Sequence, residues 1–165
     1  MITNSLGKIL GKIKGAEEKD TIKEILGLEL AKKGLKSEFL DRRITGMKEL
    51  NTLISKACPL AQNPDLDKLT FLIKWMEENG VFDIIWVPKN THIQLVQRSD
   101  EIVKQLVKHD RMNEQLMTQF FDLTRNGFKS EVFKIIIDTA IYMNKSHIDF
   151  LFDQIMQTPA SELSL

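Results

Sequence analysis

Residues 37–57 read SEFLDRRITGMKELNTLISKA, and this stretch decides the fold class. Its apolar residues recur three or four positions apart, which is the period of a helix that buries one face. The Ser37 hydroxyl can accept from the free N–H groups of a first turn, and Pro59 stops the helix just after its last apolar residue. We therefore predict an amphipathic helix whose buried stripe is Phe39, Leu40, Ile44, Met47, Leu50, Leu53, Ile54 and Ala57.

Gly46 lies inside this helix, where a glycine lowers helix stability by about 1 kcal/mol. Such a residue needs a physical reason, and the close approach of a neighbouring helix supplies one, because no side chain keeps the two backbones apart. We predict that Gly46→Leu destabilises the fold by on the order of 1–3 kcal/mol through overpacking.

The same period returns along most of the chain, and no stretch alternates as a half-buried strand does. Further helices are predicted at about 20–34, 65–79, 90–108, 113–126, 130–143 and 146–156, with a short buried helix at 81–87. The nearly continuous apolar character of 130–143 predicts burial on most sides. Short links fold consecutive helices back on each other, and the pattern alone leaves a closed bundle and an open stack as alternatives.

The domain boundaries follow from the same pattern. Residues 19–158 are predicted to form one helical domain, followed by a loose tail at 159–165. Residues 1–18 are predicted to be a flexible arm, because Gly7, Gly11 and Gly15 interrupt a weak apolar stripe there. The alternative is a helix that lies on a membrane surface or binds a partner.

Composition narrows the function. The chain has 23 basic and 23 acidic residues, and this balance argues against nucleic-acid binding, which depends on a basic surface. No apolar run reaches the roughly 18 residues of a membrane span. A single cysteine and no signal-peptide pattern predict a cytoplasmic or nuclear protein.

Two stretches carry a resemblance to a known family. They are residues 39–54 and 75–106, and they resemble the helical region upstream of the catalytic domain in large ubiquitin-specific proteases of the fat-facets type. The matching residues in the first stretch are Arg43, Gly46, Lys48, Glu49 and Asn51. Those in the second stretch are Trp75, Asn79, Asn90, His92, Arg98, Ser99, Glu101 and Ile102. Gln94 and the Trp86–Pro88 segment depart from that pattern. The apolar pattern predicts about seven or eight helices. The resemblance implies that they form an all-α, armadillo/HEAT-like stack that recruits substrates or regulators for deubiquitination.

Nothing in the sequence predicts catalysis. The Cys and His boxes of that protease family do not occur here, and Cys58 at the end of an amphipathic helix is interpreted as structural. His92, His109 and His147 lack the spacing of metal ligands, so no metal and no cofactor is expected. A third hypothesis, that the chain is a small helical enzyme, has no set of catalytic residues to support it.

Five residues are candidates for partner binding: Trp75, Trp86, Asn90, His92 and Arg98. Trp75 either packs in the core or faces a partner. Asn90 and His92 flank a helix start, where they can act as caps. Arg98 either pairs with Glu101 or Glu78 or lines a groove. The predicted partners are other proteins, including ubiquitinated substrates or regulators, and self-association is open. A generic armadillo/HEAT-like adaptor unrelated to ubiquitin is the alternative function.

Overall fold

The computed structural model describes residues 16–59, 63–87, 89 and 91–159, and within these ranges it contains helices and no strand. Two 3-10 turns, Leu123–Asn126 and Ala140–Tyr142, follow two of the helices. The predicted all-α fold is confirmed. The described residues form nine α-helices: α1 Ala16–Leu35, α2 Leu40–Ala57, α3 Leu66–Glu78, α4 Val81–Trp86, α5 Ile93–Gln97, α6 Asp100–Lys108, α7 Glu114–Asp122, α8 Lys129–Thr139 and α9 Lys145–Gln157.

The helix count exceeds the predicted seven or eight because the region predicted as one helix at 90–108 is divided into α5 and α6. At the division, the Ser99 N–H bonds the Val96 carbonyl three residues back, at 2.9 Å, rather than the carbonyl four residues back. The Asn51 side chain from α2 donates to the Arg98 carbonyl at 2.9 Å. A side chain distant in sequence therefore stabilises a break that no proline or glycine marks.

The ends of the chain are described in part. Helix α1 begins at Ala16, so residues 16–18 belong to a helix and not to the predicted arm. Residues 1–15 and 160–165, which make up most of the predicted arm and tail, lie outside the described residues.

Helices α1 and α2 form the most extensive helix pair, and two glycines bring them together. A Cβ built on Gly46 would lie 2.6 Å from the Ala31 carbonyl oxygen and 2.9 Å from the Leu35 nitrogen. A Cβ on Gly34 would lie 2.9 Å from the Arg42 carbonyl oxygen and 3.2 Å from the Gly46 Cα. The predicted close approach at Gly46 is therefore confirmed, with Gly34 as its unpredicted counterpart.

The helices pack in successive layers around one core. Helix α2 contacts α3, α5 and α6 as well as α1, and α5 and α6 in turn contact α8. A single cluster of buried apolar side chains runs from Leu28 in α1 to Ile135 in α8. This arrangement fits a helical stack, in which each layer covers the apolar face of the one before it.

Helix α8 is less buried than the sequence predicts. Its inward side presents Val132, Ile135 and Thr139, whereas Ile137 is 70% exposed and Ile141 in the following 3-10 turn is 80% exposed. The prediction of burial on most sides is wrong here. Helix α8 lies near one end of the stack, so its outer face meets no further layer of the described chain.

Helix α9 is attached through its first turn. The Asn144 side chain accepts from the His147 backbone N–H at 3.0 Å, and the His147 ring lies 3.4 Å from the Asn144 nitrogen in a capping box. The buried His147 Nε2 also lies 3.0 Å from the Met112 carbonyl oxygen. Phe150 and Leu151 are partly buried against the core, and His147 is the one buried residue of α9.

Candidate functional site

Trp86 is a core residue, and its assignment to partner binding is wrong. Its side chain is 1% exposed and packs against Phe82 and Phe120, with ring centroids 4.8 and 5.2 Å away. The indole Nε1–H donates to the Ser99 Oγ at 3.1 Å, and Ser99 donates onward to the Leu95 carbonyl at 3.0 Å. No partner can reach a side chain that is enclosed in this way.

The other candidates occupy structural positions. Trp75 is partly buried against the core, and His92 caps α5 by accepting from the Gln94 N–H at 3.2 Å. Arg98 donates to the Gln94 carbonyl at 3.2 Å instead of to the acids predicted as its partners. Asn90 lies outside the described residues. The structure therefore does not gather these residues into one surface.

Cys58 lies next to a histidine, and a neighbouring histidine is one of the groups that can activate a cysteine nucleophile. Its Sγ is 3.8 Å from the His109 Nε2. Burial raises the pKa of the Cys58 thiol, and burial, with the charges of Lys108 and Arg111, lowers the pKa of His109. Both shifts favour the neutral thiol and the neutral imidazole, whereas an activated cysteine is a thiolate stabilised by a cation. The environment thus opposes activation of Cys58.

A groove of about 770 Å³ opens beside the α1–α2 pair. The exposed Phe39 forms part of its wall, with the Arg42 guanidinium 5.0 Å from the centroid of its ring. Both charge signs line the groove, through Lys33, Lys36, Arg42, Glu38 and Glu49. Because charges of both signs line the groove, its electrostatics do not favour a partner of either charge.

A second surface is formed by one face of α9. Four apolar side chains lie on this face at helical spacing and point away from the core, and we call them the α9 stripe: Ile148 (54% exposed), Phe152 (61%), Ile155 (39%) and Met156 (69%). Half of the twelve large exposed apolar residues of the described chain lie within residues 137–156. Exposed apolar side chains are therefore concentrated in α8, the 3-10 turn that follows it and α9.

An acidic pocket of about 390 Å³ lies beside α9, between it and the start of α7. Asp110, Glu114 and Asp153 supply its charge, and Met117 and Phe150 supply part of its apolar wall. Asp153 comes one turn before Met156, so this pocket borders the α9 stripe.

Sequence reasoning missed the α9 stripe because α9 is apolar on more than one side. Phe150 and Leu151 alternate with the stripe residues, and periodicity alone does not show which set faces the core. The useful signal was that this helix has more apolar positions than one buried face accommodates.

Comparisons with known proteins returned no match: no family model, no curated protein and no solved structure is significantly similar to the chain. Within the described residues, no helix is long and apolar enough to cross a membrane. No cluster of three or more His, Cys, Asp or Glu side chains in the same part of the chain could hold a metal ion.

Proposed function

We propose that this chain is a non-catalytic protein-interaction module that binds another protein through the α9 stripe. The observation that carries the proposal is the exposure of four apolar side chains on one helix face. Covering the exposed half of four such side chains is worth roughly 3–6 kcal/mol, since full burial of one contributes about 1.5–3 kcal/mol. Association itself costs several kcal/mol, so the stripe supports a partner only together with further contacts.

The surroundings of Cys58 favour a non-catalytic role. The thiol is 8% exposed, and burial keeps it protonated near neutral pH. We expect no covalent product when the native chain is incubated with an electrophilic ubiquitin probe. Labelling that disappears in Cys58→Ser would contradict the non-catalytic assignment.

The more specific proposal is that the module recruits substrates or regulators for deubiquitination. It rests on the resemblance of residues 39–54 and 75–106 to the region upstream of ubiquitin-specific protease domains. Asn51 in the first stretch donates to the Arg98 carbonyl in the second, and Gly46 enables the α1–α2 contact. These residues serve the fold, so the resemblance supports a shared scaffold more directly than a shared partner.

The test is affinity capture from cell extract with the purified chain and two matched variants. Phe152→Glu places a charge in the α9 stripe, and Phe71→Glu makes the same change at an exposed phenylalanine on α3. We expect Phe152→Glu to lose proteins that the native chain and Phe71→Glu both retain. Equal capture by all three would refute the assignment to the α9 stripe.

The identity of the captured proteins separates the two readings of the function. Ubiquitin-pathway proteins among those lost with Phe152→Glu would support the deubiquitination role. A set of specific partners without any such protein would favour the generic armadillo/HEAT-like adaptor.

A further inference from the structure

The α9 stripe is bordered by negative charge on one edge. Asp149 and Asp153 lie one turn apart on that edge, and Asp153 reaches the acidic pocket that also contains Asp110 and Glu114. No lysine or arginine lines this pocket. A partner that covers the α9 stripe therefore meets carboxylates along the same edge.

The basic side chains near α9 are already paired with other residues. Lys145 pairs with Asp149 at 2.8 Å, and Arg125 pairs with Asp122 at 2.7 Å while also donating to Gln154. Asp110 accepts from the Asn144 side-chain amide at 2.6 Å, which supplies no positive charge. His147 lines the pocket but directs its Nε2 towards the Met112 carbonyl. Three carboxylates thus line one concavity that no lysine or arginine lines, and the guanidinium of the neighbouring Arg111 donates to Thr70 instead.

We propose that the α9 stripe binds a basic amphipathic helix of another protein. The apolar face of that helix covers Ile148, Phe152, Ile155 and Met156, and a flanking lysine or arginine enters the acidic pocket. The inference rests on the proposed function and adds the chemistry of the partner. A cation in the pocket gains electrostatic complementarity, which selects among partners that could all cover the apolar stripe.

A second copy of the chain fits this face less well. If two α9 helices pack antiparallel about a twofold axis, that axis keeps the same edge of both helices on the same side of the interface. The Asp153 carboxylates of both copies would then lie along the same edge of the interface, and Lys145 already pairs with Asp149 within each copy. Like charges placed together in an interface oppose association.

Two synthetic helical peptides test the proposal by fluorescence anisotropy. Both carry the same leucine stripe, and one has lysine where the other has glutamate on its polar positions. We expect the leucine–lysine peptide to bind the full chain and the leucine–glutamate peptide to bind about tenfold or more weakly. Phe152→Glu should weaken the leucine–lysine complex, whereas Phe71→Glu should not.

Charge variants show whether the selectivity comes from this pocket. Asp153→Lys should weaken binding of the leucine–lysine peptide by about tenfold and improve binding of the leucine–glutamate peptide. Glu29→Lys is the matched control, because it changes the net charge equally at an exposed position on α1. Equal effects of Asp153→Lys and Glu29→Lys would refute a local acidic site.

Other occupants have distinct signatures, and each would overturn the proposal. A concentration-dependent dimer in sedimentation equilibrium that Phe152→Glu abolishes would assign the face to a second copy. Tighter binding by a peptide copied from residues 1–15, which contains three lysines, would assign it to the chain's own segment. If neither model peptide binds while Phe152→Glu still removes captured proteins, the proposed function stands and the basic partner is excluded.

Discussion

The glycine contact between α1 and α2 makes a sharp prediction for Gly46→Ala. The new methyl group would lie 2.6 Å from the Ala31 carbonyl oxygen and 2.9 Å from the Leu35 nitrogen. Both atoms belong to the backbone, so no side chain can turn aside to make room. The two helices must separate, and the apolar side chains along their contact lose packing.

The expected magnitude is a balance of two effects. Replacing an interior glycine by alanine gains about 1 kcal/mol of helix propensity, while overpacking a tight contact costs about 1–3 kcal/mol and occasionally more. Two backbone clashes place this site at the upper end, so we expect Gly46→Ala to lose about 1–2 kcal/mol net. The thermal midpoint should fall by roughly 2–8 °C for a chain of this size. Gly46→Leu should cost more.

Gly27→Ala is the matched control, because it is the same substitution inside α1. A Cβ there would meet only the Leu53 methyl groups, at 3.7 and 3.9 Å, which is ordinary contact. We expect Gly27→Ala to stabilise the fold by about 0.5–1 kcal/mol. Urea denaturation of both variants measures the difference. If Gly46→Ala stabilises the chain as much as Gly27→Ala does, the close contact between the helices is not real.

Three further predictions concern the core, the cysteine–histidine pair and α9. Ser99→Ala leaves the buried Trp86 indole N–H without its acceptor and should cost about 1–3 kcal/mol in urea denaturation, whereas Ser130→Ala at an exposed site should change little. Burial lowers the pKa of His109 from its ordinary value of 6.5. Below that pH the unfolded chain therefore binds more protons at this histidine than the folded chain does. Stability should therefore fall as pH drops below that value and fall less in His109→Gln, and parallel pH profiles of the two proteins would refute this assignment. Asn144→Ala removes the capping box of α9 and should lower the free energy of unfolding by about 1 kcal/mol. It should also speed proteolysis within residues 145–157. An unchanged cleavage rate would show that the cap does not hold α9 in place.

The helices were predictable because their signals are local. Asp65 and Asn113 each accept from a backbone N–H three residues later at 2.9 Å, as side chains of their type do at helix starts. The division between α5 and α6 was not predictable, because Asn51 and Trp86 stabilise it from other helices. A contact between residues distant in sequence leaves no periodic trace in either segment.

The candidate site was less predictable than the fold. Trp86 and Phe152 are both aromatic residues in apolar helical segments, and composition favours the tryptophan as the partner-binding residue. In the structure Phe82 and Phe120 enclose Trp86, while no described layer covers Phe152. Whether the apolar segment around Trp86 or the α9 stripe is exposed depends on the order in which the helices stack.

By itself the sequence determined an all-α chain with a close helix contact at Gly46. Helical period, caps and glycine positions act over a few residues, so they can be read directly from the chain. Only the tertiary structure decided that Gly34 meets Gly46, that Cys58 approaches His109, and that α9 keeps an apolar face exposed. Burial is a property of two surfaces in contact, and one segment of sequence contains only one of them.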